Sequence, residues 1–204
     1  MTGTLSWILV SFGVLVLVVR RRSLAVGIVT AQALLLMVKA LESATTPAET
    51  GAGLALGVRA VALAALFLFV VSRTREARPV RTGVAPLVRA GAGIAFALAL
   101  IWLVPAIGLH SRQTERAVLA LVALGLVTAA TRRATLFQVL GIVLVENGLA
   151  LAALELPAGS ALIEVGVALD LLFVALVAAV FHERIFAEFG AGDSAAMRSL
   201  RDHP

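Results

Sequence analysis

The sequence predicts an all-α bundle of about seven transmembrane helices, and three observations carry this prediction. Hydrophobic residues make up 61% of the 204 residues, whereas only 14% are charged. The mean hydropathy is +1.04, too high for a soluble domain that needs a polar surface. The apolar runs are apolar on all sides and do not alternate with polar residues, which favours helices over a membrane barrel.

Seven stretches are long enough to cross about 30 Å of hydrocarbon, which takes about 20 apolar residues in a helix. They cover residues 3–20, 23–42, 52–72, 87–106, 116–131, 134–154 and 160–181, of which the fifth is short. We expect the first to be retained, because its arginines follow the apolar run instead of preceding it. The chain then divides into a four-helix transmembrane part (1–115), a three-helix module (116–182) and a cytoplasmic tail (183–204).

Arginine and lysine are distributed unevenly between the loops. Loops after odd-numbered spans, together with the C-terminal tail, hold thirteen of the seventeen Lys and Arg residues. Loops after even-numbered spans hold only Arg112 and Arg116. The positive-inside rule predicts that the N-terminus lies outside and the C-terminus in the cytoplasm of a cell membrane. Because no RNA- or DNA-binding signature accompanies the basic loops, we expect no nucleic-acid partner.

The residue types that bind cofactors are absent or badly placed for that purpose. The chain has no cysteine, which excludes disulfides and iron–sulfur ligation by this chain. Its three histidines, His110, His182 and His203, fall at segment ends or in the tail, so a haem between helices is not expected. No phosphate-binding loop, nucleophile elbow or zinc-ligand spacing occurs. We therefore expect no bound cofactor or metal and no active site of the chain's own.

Two carboxylates lie deep inside apolar runs. Glu146 follows Ala134 by twelve residues, or about 18 Å of helix. Asp170 lies about 15 Å inside the outer end of the seventh span. A charged acid at such a depth costs about 2.5–3.5 kcal/mol or more, so each is either protonated or faces a partner or water. We interpret Glu146 and Asp170 as proton-transfer groups, the alternative being a structural ion pair or hydrogen bond.

Further polar side chains lie inside the predicted spans as candidate modulators of these acids. Asn147 can steady a water molecule or an adjacent acid, and Gln32 either joins a polar chain or holds helices together. Arg59 is permanently charged and therefore needs an anion, for which an acid of this chain or of a partner is the natural candidate.

Two modulators lie nearer the outer interface. Lys39 is expected to form a local salt bridge with Glu42, because residues three apart share one helical face. Glu164 lies about one turn inside the membrane surface, where it either tunes Asp170 or extends its carboxylate to the interface.

Several of these residues belong to recognisable motifs. Arg132-Arg133-x-x-Leu136-Phe137-x-x-Leu140-Gly141 followed by Glu146-Asn147 resembles the second helix of the small three-helix membrane subunit of respiratory complex I. Asp170 falls where the third helix of that subunit carries its second buried acid. The whole chain resembles more closely the E component of hydrogenase-4-type membrane complexes. The segments similar to that family are Val145-Glu146-Asn147-Gly148, Glu164-Val165-Gly166-Val167-Ala168-Leu169-Asp170, Ala31-Gln32-Ala33-Leu34 and the basic residue Arg59.

The resemblance implies a non-catalytic membrane subunit that contributes mid-membrane carboxylates to proton transfer. Its implied partners are other membrane subunits, antiporter-like subunits among them, and membrane lipids, while peripheral subunits carry the redox centres. One departure concerns the first acid, which in the complex I subunit lies two residues after the glycine, where this chain has Val143. Glu146 lies one turn further, a shift of about 5 Å along the helix. Two alternatives remain: the small subunit of a multi-subunit cation/proton antiporter, and a purely structural scaffold.

Overall fold

A computed structural model describes residues 2–73 and 85–156, together with the isolated positions 166 and 168. Within the two continuous ranges the chain forms six α-helices and no strand. The helices are α1 (Thr2–Val18), α2 (Arg22–Ser43), α3 (Pro47–Arg73), α4 (Pro86–Leu103), α5 (Arg112–Thr131) and α6 (Thr135–Ala153).

The described helices confirm the predicted fold class, an all-α membrane bundle. Each of the first six predicted spans overlaps one of these helices. Five helices, α2 to α6, include a segment long and apolar enough to cross a membrane. Helix α1 is equally apolar but has only 17 residues. The seventh predicted span, 160–181, lies outside the described residues apart from the two isolated positions. The orientation in the membrane stays a prediction.

Three helix ends differ from the predicted bounds by more than two residues, and local chemistry explains each of these differences. Helix α3 starts at Pro47, before residue 52, because Thr46 and Glu49 form a reciprocal capping box. The Thr46 hydroxyl accepts from the Glu49 backbone N–H at 3.2 Å, and the Glu49 carboxylate accepts from the Thr46 N–H at 3.2 Å. Helix α5 starts at Arg112, before residue 116, because the Ser111 hydroxyl accepts from a backbone N–H of the first turn.

The third difference is at the end of α4, which stops at Leu103 and not at residue 106. Val104 has an extended backbone, with φ −82° and ψ 121°. The next residue is Pro105, whose ring disfavours a helical conformation in the residue before it. The helix therefore ends at the last position that the proline permits.

Helix α5 is the centre of the described bundle. It packs against α1, α4 and α6, while α2 packs against α1, α3 and α6. Buried leucine, valine and alanine side chains fill the space between these helices, among them Leu9, Leu36, Leu121, Leu140 and Leu144. Consecutive helices run in opposite directions, so the bundle has two ends, which we name by their loops. The α1–α2/α5–α6 end carries the loops after α1 and α5, and the α2–α3/α4–α5 end carries the loops after α2 and α4.

Helices α5 and α6 approach each other so closely that their backbones touch. A Cβ atom added to Gly141 on α6 would lie 2.6 Å from the backbone nitrogen of Ala129 and 2.7 Å from the carbonyl oxygen of Gly125, both on α5. A Cβ added to Gly125 would lie 2.6 Å from the carbonyl oxygen of Gly141. Small residues thus permit the contact, as they do between transmembrane helices in general. The contact sets the position of α6, the helix that carries Glu146.

Candidate functional site

An ion pair between Arg59 and Glu146 lies inside the bundle. Arg59 is twelve residues after Pro47 and Glu146 is eleven residues after Thr135, which places them about 18 Å and 16 Å from the starts of α3 and α6. The Arg59 Nη2 donates a hydrogen bond to the Glu146 Oε2. The side chains are 5% and 12% exposed, respectively. The anion that the sequence requires for Arg59 is therefore an acid of the same chain.

The helical pattern of α3 explains why Arg59 points inward. Leu56 and Leu63 are buried, and they lie three residues before and four residues after Arg59. Residues with this spacing occupy one face of a helix, so Arg59 belongs to the stripe that faces the core. Helix α3 packs on α2, and the long arginine side chain extends to α6. An alanine at position 59 would lie on the same stripe and make no such link.

A second polar interaction connects α6 to α2 and α1 beside the ion pair. The Asn147 Nδ2 donates to the Gln32 Oε1 at 2.9 Å, and the Gln32 Nε2 donates to the Leu9 carbonyl oxygen at 2.8 Å. Gln32 is fully buried and Asn147 is 2% exposed. Two roles were predicted for Gln32, membership of a polar chain and a link between helices, and this geometry fits both of them. Because Asn147 directly follows Glu146, both interactions restrain the same turn of α6.

Arg59, Glu146, Gln32 and Asn147 together form what we name the polar layer. Among these four side chains only the Glu146 carboxylate is an acid that can gain and lose a proton, because amides do not titrate and arginine remains charged. A proton that reaches Glu146 removes the negative charge that Arg59 binds. The proton and Arg59 therefore compete for the Glu146 carboxylate. Arg59 opposes protonation while it is bound, and its return favours release of the proton.

A separate polar cluster lies at the α2–α3/α4–α5 end. Lys39 Nζ lies 3.3 Å from the Glu155 Oε1, and the Thr114 hydroxyl donates to the same oxygen at 3.1 Å. The predicted salt bridge between Lys39 and Glu42 is wrong, because Glu42 is exposed and Lys39 pairs with Glu155. The Lys39 and Glu155 side chains are 10% and 11% exposed, and charges attract more strongly where less water screens them.

Glu155 was not among the predicted site residues. It follows the end of α6 and is separated from Lys39 by 116 positions in the sequence. Its position just past an apolar run is typical of an ordinary loop residue. Only the packing of α6 against α2 and α5 brings it to Lys39 and Thr114.

At the opposite end, Arg132 binds the end of α1. Its Nη2 donates to the carbonyl oxygens of Val16 at 3.1 Å and Leu17 at 3.0 Å, and also to that of Val19. The last carbonyls of a helix have no partner within the helix, so the guanidinium acts as a cap. The same guanidinium lies 4.0 Å from the centre of the Phe137 ring. The Arg132 and Phe137 positions of the motif thus serve to attach α6 to α1.

The chain is similar to a mycobacterial protein that is itself uncharacterized. The chain is 35% identical over 164 residues to the uncharacterized protein Rv0085 of Mycobacterium tuberculosis (strain ATCC 25618 / H37Rv), a match that covers 73% of this chain and 73% of the relative. The chain belongs to the Rv0085 family. No protein-family model matches the chain, and no solved structure matches it. Because Rv0085 is itself uncharacterized, membership of the Rv0085 family leaves the activity to be inferred from the site.

Two predicted site residues of this Rv0085-family chain, Glu164 and Asp170, lie outside the described residues, and their roles stay predictions. The other five lie within the described helices. Arg59 is joined to Glu146 and Gln32 to Asn147, whereas Lys39 belongs to the separate cluster with Glu155. In the described part of the chain, no group of three or more His, Asp or Glu side chains is arranged to hold a metal ion.

Proposed function

We propose that the chain is a non-catalytic membrane subunit of a redox-driven, ion-translocating complex of the hydrogenase-4 or complex I type. The observation that carries the proposal is the Arg59–Glu146 ion pair halfway along the helices. Replacing a buried ion pair with apolar residues of similar volume often leaves the stability of a protein unchanged, because desolvation of the two charges offsets their attraction. The pair therefore contributes little net stability to the bundle. Intramembrane ionisable groups that do not serve stability mark ion and proton pathways.

In this proposal Glu146 is the group of the polar layer that accepts and releases the proton. While Arg59 binds the carboxylate, its positive charge opposes protonation. A change of charge or conformation in a neighbouring subunit weakens the pair, and the carboxylate then takes up a proton. Return of Arg59 favours release of the proton to the next acceptor, for which Asp170 is the proposed group. Gln32 and Asn147 hold α6 in register so that Glu146 stays beside Arg59.

The energy for this cycle comes from other subunits. Peripheral subunits carry the iron–sulfur clusters and the redox active site, and this chain binds no cofactor. Antiporter-like membrane subunits continue the path of polar groups on the side of this chain that faces away from the redox subunits. The complex is in the cell membrane, with the N-terminus of this chain outside and its C-terminus in the cytoplasm. The one-turn offset of Glu146 from the complex I pattern moves the carboxylate by about 5 Å and keeps it on about the same helix face.

Two other functions compete with this one. The first is a structural scaffold, which is favoured by the near-complete burial of the ion pair and by the amide link beside it. The scaffold requires that neutralising Glu146 prevents assembly. The second is the small subunit of a multi-subunit cation/proton antiporter, a family whose small subunit has the same three-helix ancestry. The antiporter requires partners that contain no redox centres.

The identity of the partners is the direct test of the proposed function. The full chain carrying a C-terminal affinity tag is expressed in its own host, extracted in mild detergent and purified, and its stoichiometric partners are identified by mass spectrometry. We expect hydrogenase-like and iron–sulfur subunits together with antiporter-like subunits. Recovery of antiporter subunits alone would support the antiporter alternative. A chain that purifies without any stoichiometric partner would contradict the redox-complex subunit, the antiporter subunit and the scaffold alike. A tagged, unrelated multi-pass protein controls for adventitious capture.

A further inference from the structure

Three arginines from three different segments meet at the α1–α2/α5–α6 end of the bundle. Arg20 follows α1, Arg89 lies in the first turn of α4, and Arg132 follows α5. Burial, together with the positive charges of Arg89 and Arg20, lowers the pKa of Arg132 to about 10. Arg132 therefore remains cationic at neutral pH, and the three guanidinium groups are close enough to repel one another. Such a concentration of positive charge calls for an anion.

Arg89 and Arg132 are buried but incompletely bonded. Arg89 is 1% exposed, and its Nε and Nη2 have no hydrogen-bond partner among the described residues. These two atoms form one edge of the guanidinium group, the edge that binds two oxygens of a phosphate or carboxylate at once. Arg132 is 2% exposed, and although its Nη2 caps α1, its Nε and Nη1 form no hydrogen bond within the part of the chain that the structure describes. Buried donors of a charged group are costly to leave unbonded, so a ligand is expected.

The described part of the chain supplies no carboxylate for them. It contains five acids, of which Glu42, Glu49, Glu115 and Glu155 lie at the opposite end of the bundle. The fifth, Glu146, lies in the polar layer and binds Arg59. Helix α4 adds to the positive potential, because its N-terminus lies here and no side chain caps it.

Exposed apolar side chains lie along α4, the helix that carries Arg89. The two residues before it, Leu87 and Val88, are 82% and 62% exposed. Large apolar side chains remain exposed along the rest of α4, including Leu98, Trp102 and Leu103. Arg20 is exposed and can reach the headgroup layer at the membrane surface, whereas Arg89 and Arg132 are buried behind it. A ligand that combines a phosphate with hydrocarbon chains matches both the charged group and the apolar face.

We propose that Arg20, Arg89 and Arg132 bind the phosphate of an anionic phospholipid whose acyl chains lie along the exposed face of α4. Arg89 binds two phosphate oxygens with its Nε and Nη2, Arg132 donates from one of its unbonded nitrogens, and Arg20 binds the phosphate from the surface side. The lipid then joins α1, α4 and α5 at this end, where the described residues provide cations and no acid. Basic groups between transmembrane helices commonly take anionic headgroups in this way.

Lipid retention by the full chain tests the proposal. Wild-type protein, Arg89→Gln and Arg89→Lys are purified in the same detergent, and the bound phosphatidylglycerol is quantified by native mass spectrometry. We expect Arg89→Gln to retain roughly tenfold less phosphatidylglycerol, because it loses charged hydrogen bonds, and Arg89→Lys to retain an intermediate amount. The control is Arg112→Gln, because the Arg112 side chain is 73% exposed at the opposite end. Equal retention by Arg89→Gln and Arg112→Gln overturns the proposal.

A second measurement on the wild-type protein covers the case in which Arg89→Gln fails to fold. Thermal unfolding is followed in detergent with added phosphatidylglycerol, phosphatidylcholine or sodium phosphate. We expect phosphatidylglycerol to raise Tm and the other two to have little effect. A Tm that responds equally to both lipids overturns the proposal. If sodium phosphate alone raises Tm as much as phosphatidylglycerol does, the ligand is a free anion, and the assignment to a lipid is overturned.

Discussion

Replacing Arg59 by methionine is expected to lower the free energy of unfolding by about 3–5 kcal/mol, because it leaves the buried Glu146 carboxylate without its counter-charge. Both side chains are almost completely buried, so water does not compensate the loss. The destabilisation should be smaller at low pH, where Glu146 becomes protonated and no longer needs a cation. Reversible unfolding of the full chain in mixed micelles, followed by circular dichroism, measures the change.

The double variant Arg59→Met/Glu146→Leu separates the ion pair from simple loss of packing. If the single variant is destabilised by an uncompensated charge, removing that charge as well should restore most of the lost stability. The control is Arg112→Met, which removes the 73% exposed partner of the Arg112–Glu115 pair, whose charged atoms lie 3.7 Å apart. The buried Glu115 keeps its hydrogen bond from the Ile107 backbone N–H in this variant. Pairs near solvent contribute little, so this variant should change stability by about 0–1 kcal/mol. An effect of Arg59→Met no larger than that of Arg112→Met would contradict the ion pair.

Replacing Gly141 by alanine is expected to destabilise the bundle by about 1–3 kcal/mol or more, because the added methyl group overpacks the contact between α5 and α6. The new Cβ would lie 2.6 Å from the backbone nitrogen of Ala129, and a backbone atom cannot move aside as a flexible side chain can. The helices must therefore separate. Separation moves α6, and with it Glu146, away from Arg59, so the same variant should also impair any function of the ion pair.

Gly91 on α4 is the matched control for this substitution. A Cβ atom added to Gly91 meets nothing within 4 Å. Gly91→Ala should therefore be neutral or stabilise the helix by about 0.5–1 kcal/mol, as alanine does at unhindered helical positions. Thermal unfolding of both variants in the same detergent compares them. Equal stability of Gly141→Ala and Gly91→Ala would show that α5 and α6 do not touch through their backbones.

The helices of this chain were predictable because their signal is local. About 20 consecutive apolar residues are sufficient to indicate a membrane span, whatever the rest of the chain does. The errors at helix ends have equally local causes, namely the capping box of Thr46 and Glu49 and the effect of Pro105 on Val104. Those signals are present in the sequence, but hydropathy alone does not register them.

The contacts of the polar layer were predictable only in part. The need of Arg59 for an anion follows from its charge, but its choice of Glu146 depends on how α3, α2 and α6 pack. Hydrophobic periodicity does not predict this packing, because the sequence of a helix that is apolar on every side does not indicate which face is buried. The incorrect pairing of Lys39 with Glu42 has the same origin, since spacing along one helix favoured a neighbour over the distant Glu155.

The arginines at the α1–α2/α5–α6 end show a similar limit. In the sequence, Arg89 and Arg132 count among the basic residues that predict orientation, and Arg132 also begins the motif that resembles the complex I subunit. The structure buries both and gives Arg132 a definite partner in the end of α1. Counting charges predicts on which side of a membrane a loop lies, but it does not distinguish a solvated arginine from one inserted between helices.

Proton pumping by the assembled complex tests the central claim most directly. Inverted membrane vesicles carrying wild-type chain, Glu146→Gln or Asp170→Asn are given the electron donor of the complex, and electron transfer and acidification are recorded together. We predict that both variants assemble and transfer electrons but pump severalfold fewer protons per electron, while the exposed Glu42→Gln pumps as wild type does. Normal pumping in both Glu146→Gln and Asp170→Asn would contradict the account. Loss of assembly both in Glu146→Gln and in Arg59→Met/Glu146→Leu, which leaves no uncompensated charge, would establish the scaffold in its place.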